Sequence, residues 1–532
     1  MYLHFTYFKV STPMNKFLFV FVFLSSFSFS QQKEYLVFLK DKDDSALVNP
    51  EKYQDFYDLP ILPESLEALT RKGRIINISK WLNAVHYSSD ITSQEIRQFT
   101  FVSSCIELHP IKLDEPNLAI YTSTNSVGDS NTYGTTFEQL EMTKTTSCLH
   151  DKGYLGQGVT IAVLDAGFPR MDTMRSFQKM RQEGRIVDTW DFEDNDPFVY
   201  HKNTHGSYVS SILGAELDSI YVGSAPKANY AFYITEIGRF EKNIEEFNLV
   251  LGLERADSIG ADICNISLGY RNFDTLQVSY GYPGMDGKTT IAAQGVSIAK
   301  RKGMIISVAA GNNGNNGSGS LTSPCDVDSV LCVGAIKFDS TRAGFSSEGP
   351  TFDGRIKPDV ATIGEACYFM GLNDTVYRGN GTSLATPLMT GLAACVVQAH
   401  PARSNFEVMD AIKYNSNRAG SPDNIYGWGI PDGCKVDSAL SFLDSTVSLV
   451  EPELLQFNLF PNPAEDYVTI RTTEIITSIE LLQLDGKLVK SKNMNRASLS
   501  YRLNLTDVPT GIYLVKLTAR NGSIGTNKII KQ

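Results

Sequence analysis

The stretch Val159-Thr160-Ile161-Ala162-Val163-Leu164-Asp165-Ala166-Gly167 decides the fold of this chain. Its nearly unbroken apolar run is the pattern of a strand covered on both faces, as parallel strands are. It ends in an acid. In open α/β sheets ligands collect beyond the carboxyl ends of such strands, where Asp165 is expected to lie. Further apolar runs at residues 263–268, 304–309 and 330–336 alternate with helical stretches such as 245–258 and 295–302. That alternation predicts an α/β fold, a parallel sheet flanked by helices.

Two later segments supply what a lone carboxylate lacks. Asn203-Thr204-His205-Gly206-Ser207-Tyr208-Val209 opens a helix with Val209, Ile212 and Leu213 on its core face. Gly381-Thr382-Ser383-Leu384-Ala385-Thr386-Pro387 opens another, along which Leu384, Leu388, Leu392 and Cys395 recur at helical spacing. Ser383 then falls in a first turn, where free backbone N–H groups favour developing negative charge. Pro387 is expected in that same turn, where a missing N–H costs little. A serine hydroxyl is a weak nucleophile and needs a base and an orienting carboxylate. Asp165, His205 and Ser383 provide all three, in that chain order.

Two more segments accompany them: Ile305-Ile306-Ser307-Val308-Ala309-Ala310-Gly311-Asn312-Asn313-Gly314 and Asn265-Ile266-Ser267-Leu268-Gly269. Together, and in this order, the five segments resemble the subtilisin-like serine proteases over roughly residues 150–440. The resemblance implies that Asn312 is an oxyanion-hole donor. It implies that Ser267, Leu268, Gly269, Ala310 and Gly311 flank the substrate. It also implies that His205 takes the Ser383 proton while Asp165 holds the imidazole. Taken singly, each residue has a plainer reading: Asp165 as a helix cap, His205 as a turn histidine, Ser383 as a cap. His201 is a rival base, but only His205 is followed by the family's helix start. Two departures stand out. Ala166 replaces the hydroxyl residue that commonly follows the aspartate, and Tyr208 replaces a frequent histidine.

The flanks read as separate modules. Lys16, the apolar run at residues 17–24 and small Ser28 and Ser30 before Gln31 match a cleaved export signal, residues 1–30, with Met14 the natural start. No other segment reads as long and apolar enough to cross a bilayer. Residues 31–130 read as a small α+β unit. Strands are expected at 35–39, 75–78 and up to Leu108, and helices at 63–72 and up to Phe99. Thr92 and Glu95 stand at capping-box spacing. This unit resembles the family's propeptide, a folding template and inhibitor, with 81–85 as one of its core strands and maturation between Ser123 and Tyr133. The peptidase part then spans 131–445 and a linker 446–456. Residues 457–532 alternate short strands (467–471, 478–483, 499–504, 512–518, 525–530) with turns, the pattern of an antiparallel β-sandwich. Its Pro461-Asn462-Pro463 opening, Gly511-Ile512-Tyr513 strand and Lys528-Ile529-Ile530-Lys531 end resemble the sorting domain of type IX secretion cargo.

Composition narrows the partners. A net charge of -11 without a Lys/Arg block argues against nucleic acid. The eight cysteines show no zinc spacing. Cys325–Cys332 is the first expected disulfide and Cys367–Cys434 the second, with Cys264 and Cys395 as buried thiols. The loop Pro283-Gly284-Met285-Asp286-Gly287-Lys288 reads equally as a substrate-side loop or a turn. Catalysis needs no cofactor on this reading, and structural calcium, frequent in the family, has no contiguous carboxylate loop to place it.

The expectation is thus a zymogen of a serine endopeptidase, exported through the periplasm of a Gram-negative bacterium to its surface or beyond. Its partners are protein or peptide substrates, its own propeptide and the secretion machinery. The alternative is a non-catalytic binding protein on the same scaffold. An α/β-hydrolase esterase is excluded by chain order and by Ala385, which stands where the elbow's second glycine belongs.

Overall fold

A computed structural model of the chain describes residues 32–43, 56–109, 120–121, 132–237, 242–273, 279–445, 455–472, 474–483, 487–494, 500–520 and 523–532. The expected signal segment, most of the linker and nearly all of the expected maturation region lie outside the described residues.

Among the described residues, seven parallel strands form the central sheet. Their order is Val360–Ile363, Leu331–Ile336, Ile305–Ala309, Ile263–Ile266, Thr160–Asp165, Asn229–Ile234, Ile186–Asp191. Side chains of a strand point alternately to its two faces. Accordingly Ile161 and Val163 join one apolar cluster with the helices His205–Gly214, Thr382–Ala399 and Asn405–Tyr414. Ala162 and Leu164 join the other, with Asn243–Ser258 and Ile291–Arg301. Ile161, Val163 and Leu164 are fully buried, each worth about 1.5–3 kcal/mol. The chain fills the sheet on one side of Thr160–Asp165 first and then crosses to the other, so Asp165 ends a strand beside the reversal. That crevice is where such sheets bind ligands.

The helix expected at 295–302 starts earlier, at Ile291, because the Thr290 hydroxyl accepts from the Ala293 N–H at 3.0 Å. The loop at 283–288 is a turn packed inward: Gly287 N–H donates to Asp326 at 2.6 Å, and Arg355 donates to the Asp286 carbonyl at 3.0 Å.

The first α+β unit is an antiparallel sheet in the order Gly73–Ser79, Ala84–Ser89, Lys33–Leu39, Val102–Leu108, with helices Pro63–Thr70 and Ser93–Ile96. Thr92 and Glu95 form the expected capping box. The second helix stops at Ile96 rather than Phe99, since the N–H of Phe99 turns back to Ile96 in a tighter bond of 3.2 Å. The strand expected at 81–85 begins only at Ala84, after Asn83 takes a φ of 50°. The unit sits on the outer surface of the sheet's helices. Leu36, Trp81 and Ala84 enter the same apolar cluster as Phe247 and Val250. Glu254 accepts the N–H groups of Lys80 and Trp81 at 3.1 and 3.2 Å, and Lys302 pairs with Asp58 at 2.9 Å.

The C-terminal region forms two antiparallel sheets, Phe457–Phe460/Tyr467–Thr472/Ser500–Asn504 and Leu488–Asn493/Ile476–Gln483/Gly511–Ala519/Ile524–Lys531. They enclose a core of their own that includes Val468, Ile479, Val515 and Ile529. Phe457–Phe460 and Leu488–Asn493 were not among the expected strands.

Cys325 and Cys332 are bridged as expected, but Cys434 pairs with Cys148, not with Cys367. The helix Gly433–Ser445 lies against the helix Thr145–Cys148. Cys367 is instead buried beside Gln139, with its sulfur 3.6 Å from Oε1. Cys264 and Cys395 are free and buried, as read from their apolar surroundings. One expectation fails: the helix Thr382–Ala399 is itself long and apolar enough to cross a membrane, but here its apolar surface is consumed by the sheet.

Candidate active site

Asp165 is fully buried at its strand end, where Ala166 N–H donates to its Oδ1 at 2.8 Å. His205 is the first residue of its helix, and its backbone N–H donates to Asn203 Oδ1 at 2.9 Å. Its imidazole Nδ1 lies 2.8 and 3.0 Å from the two Asp165 oxygens. Gly206 makes this approach possible. A methyl group there would collide with the Gly167 carbonyl and stand 2.8 Å from Phe168 and 3.0 Å from Asp165 Cβ. Burial alone would lower the proton affinity of His205, yet the charge and hydrogen bond of Asp165 outweigh it and raise the pKa above the ordinary histidine value.

Ser383 is the second residue of the helix Thr382–Ala399. A methyl group on the preceding Gly381 would lie 2.8 Å from Ser383 Oγ and 3.9 Å from Asn312 Nδ2, so both groups converge on one small space. Asn312 is held from behind. Its Oδ1 accepts the Thr382 N–H at 2.9 Å and the Thr382 hydroxyl at 3.0 Å, which leaves the amide NH₂ facing that space. The Gly311 N–H in turn donates to Thr382 Oγ1 at 3.2 Å. Thr382 thus orients the asparagine, a role that residue spacing did not reveal.

Pro387 lies in the helix's second turn, not its first. Its absent N–H would have bonded to the Ser383 carbonyl. The Ser267 hydroxyl takes that place at 2.9 Å and is itself fixed by Asn265 Nδ2 at 3.0 Å. Leu268 and Gly269 continue past the paired register of the Ile263–Ile266 strand, and Ala310 and Gly311 past that of Ile305–Ala309. The two segments flank the helix start from either side.

Asp165 and His205 are brought into contact. Among the described residues no hydrogen bond joins His205 to Ser383, a link that commonly tightens only when substrate binds. The rival His201 points elsewhere, with Nε2 3.0 Å from Asp191. Asp191, Asp194 and His201 bring ligand atoms within 4.8 Å of one another, but the Lys202 ammonium already sits against both carboxylates, at 2.7 and 3.0 Å.

Known proteins resemble this chain in two separate parts. Residues 156–429, just over half of the 532-residue chain, match the model of the Subtilase family, and residues 458–532 that of the Secretion system C-terminal sorting domain. Subtilisin of Bacillus pumilus is 30% identical over 286 residues, 53% of this chain and 92% of that protein. Subtilisin E of Bacillus subtilis is 29% identical over 286 residues, 53% of this chain and 66% of that protein. The solved structure of MycP1 from the ESX-1 type VII secretion system aligns with a TM-score of 0.47 and 21% identity, covering 61% of this chain and 90% of that one. The chain belongs to the subtilase family of serine endopeptidases and carries a type IX secretion sorting domain at its C-terminus.

Proposed function

We propose that the protein is made as a zymogen and matures into a secreted or surface-bound endopeptidase whose triad is Asp165, His205 and Ser383. The observation that carries this is the Asp165–His205 hydrogen bond at a strand end, with Ser383 in the first turn of a helix that packs against the His205 helix. As Ser383 Oγ attacks the scissile carbonyl carbon, His205 takes its proton and the carbonyl electron pair moves onto oxygen. Asn312 and the Ser383 N–H stabilise that oxyanion. Collapse expels the amine, which receives the proton from His205, and leaves an acyl-enzyme. Water then repeats the sequence, releasing the acid and restoring the serine. Asp165 stays ionised throughout. The reaction as written uses only the protein's own groups and water, and calcium has no assigned place.

Residues 31–130 act as the propeptide in this reading, supported by Leu36, Trp81 and Ala84, which share an apolar cluster with the helices Asn243–Ser258 and Ile291–Arg301. The sorting domain engages the secretion machinery of a Gram-negative cell after passage through the periplasm. Substrates are proteins or peptides, and nucleic acid is not a partner.

Intact-mass spectrometry of the chain expressed from Gln31, before and after a fluorophosphonate probe, tests this with Ser383→Ala alongside. A probe adduct and loss of the N-terminal unit in the parent alone are expected. A folded parent that is neither labelled nor processed would favour the binding-protein alternative.

A further inference from the structure

Alternation along the C-terminal strands leaves one sheet face without a cover. Side chains of a strand point alternately to its two faces, and residues paired across an antiparallel sheet share a face. Ile479, Leu481, Tyr513, Val515 and Ile529 point into the core of the sorting domain. Leu482, Ile512, Leu514 and Ile530 therefore point outward, and Leu488 joins them because it pairs with Leu482. Register sets the five side by side. Leu488 lies opposite Leu482, Leu482 opposite Leu514, and Ile512 opposite Ile530. Leu488 is 52% exposed and Ile512 42%. None of the five joins an apolar cluster among the described residues. Contiguous exposed apolar surface of this kind marks a contact site.

The outward face of the other sheet is different. There Arg471 lies over Phe460 at 4.7 Å and Arg502 over Tyr467 at 3.3 Å, so each ring already carries a guanidinium group. The border of the aliphatic patch is cationic. Lys528 pairs across from Leu514, is exposed and forms no ion pair among the described residues. Lys516, the next outward position after Leu514, has Glu480 beside it at 2.9 Å. Residues 457–532 carry ten Lys and Arg against six Asp and Glu, in a chain whose net charge is -11. Size and charge decide between occupants. A stable pairing of two copies buries about 800 Å² on each, more than five half-exposed aliphatic side chains offer. Two copies would also set cationic borders against each other. The patch suits a partner of opposite charge that holds the domain and lets it go.

We propose that this patch is the face by which the sorting domain docks on the secretion machinery, against an apolar shelf bordered by carboxylates. The proposal rests on the export reading given above. The test follows export of the full-length Ser383→Ala chain from a cell that carries type IX machinery. Leu514→Asp should slow its appearance outside the cell about tenfold or more, the effect of an unpaired charge pressed into an apolar contact. Lys528→Glu reverses the border charge without touching the core and should slow export as well. Thr518→Asp, on the same strand and face but away from the patch, should not. A photo-crosslinker placed at Leu482 should capture a component of that machinery, identified by mass spectrometry, and one at Thr518 should not.

Normal export of both Leu514→Asp and Lys528→Glu overturns the proposal. So does equal slowing by Thr518→Asp, or a crosslink from Leu482 to a second copy of the chain. A chain cut back to residue 456 that is still exported overturns the export reading, and this proposal with it. If Leu514→Asp does not fold, judged by protease resistance of the purified chain, Lys528→Glu and the crosslink decide.

Discussion

The Ser383 carbonyl is hydrogen-bonded by Ser267, just past the strand Ile263–Ile266, because Pro387, four residues on, has no N–H to offer it. A buried carbonyl stripped of its donor costs about 1–3 kcal/mol. Ser267→Ala should therefore destabilise the protein by about that amount. Pro387→Ala supplies a helical donor, so the double variant should lose less than Ser267→Ala alone. Urea unfolding in a Ser383→Ala background, which removes self-digestion, measures this. Strictly additive changes would show that the two residues do not share the carbonyl.

The raised pKa of His205 gives a pH signature. Burial works against protonation, but the Asp165 charge and hydrogen bond outweigh it. Catalysis needs neutral imidazole, so kcat/KM should rise with pH through a midpoint above about 6.5. Asp165→Asn should lower that midpoint and cut kcat by about 10⁴. Stability runs the other way. A raised folded pKa stabilises fully below the unfolded value and loses that contribution as pH rises through the folded one. A parent midpoint at or below about 6.5 would contradict the assignment.

Asn312 and Thr382 should separate by magnitude. Asn312→Ala removes the donor proposed for the oxyanion, for which a loss of about 10²–10³ in kcat is expected. Thr382→Val removes only one of the two bonds that orient the amide, because the backbone N–H remains. A kcat loss nearer tenfold with little change in KM is expected, in line with the energy of one neutral hydrogen bond, about 0.5–1.5 kcal/mol. Equal losses would mean that Thr382 acts on substrate directly.

The cysteines make a countable prediction. Four are free and buried and four are bridged. In the unprocessed Ser383→Ala chain, a thiol reagent should find almost none in the native protein and four after denaturation without reductant. Replacing Cys148 and Cys434 by serine should cost about 2–5 kcal/mol. Six reactive thiols on denaturation would mean that one bridge does not form.

Asp165, His205 and Ser383 stood out as candidates because each sits where local pattern changes: an apolar strand ends at Asp165, and apolar helices begin around His205 and Ser383. Those junctions are written in hydrophobic periodicity. Thr382 left no such mark, since what matters about it is its contact with Asn312 from a distant segment. The Cys148–Cys434 pairing has the same cause: a sequence separation of 286 hides it from any local pattern. Leu488–Asn493 escaped notice because it is mostly polar and exposed, so it shows no alternation between a wet and a dry face. Pro387 misled because a proline near a helix start usually sits where no donor is missed, and here one is.

The bridge between Cys148 and Cys434 closes nearly the whole peptidase part into a covalent ring. Loose ends are where chains fray and where exopeptidases begin. With both outer modules removed, only the short flanks beyond the two cysteines would be left to fray. A protease that must survive among its own kind thus keeps almost no thread to be pulled.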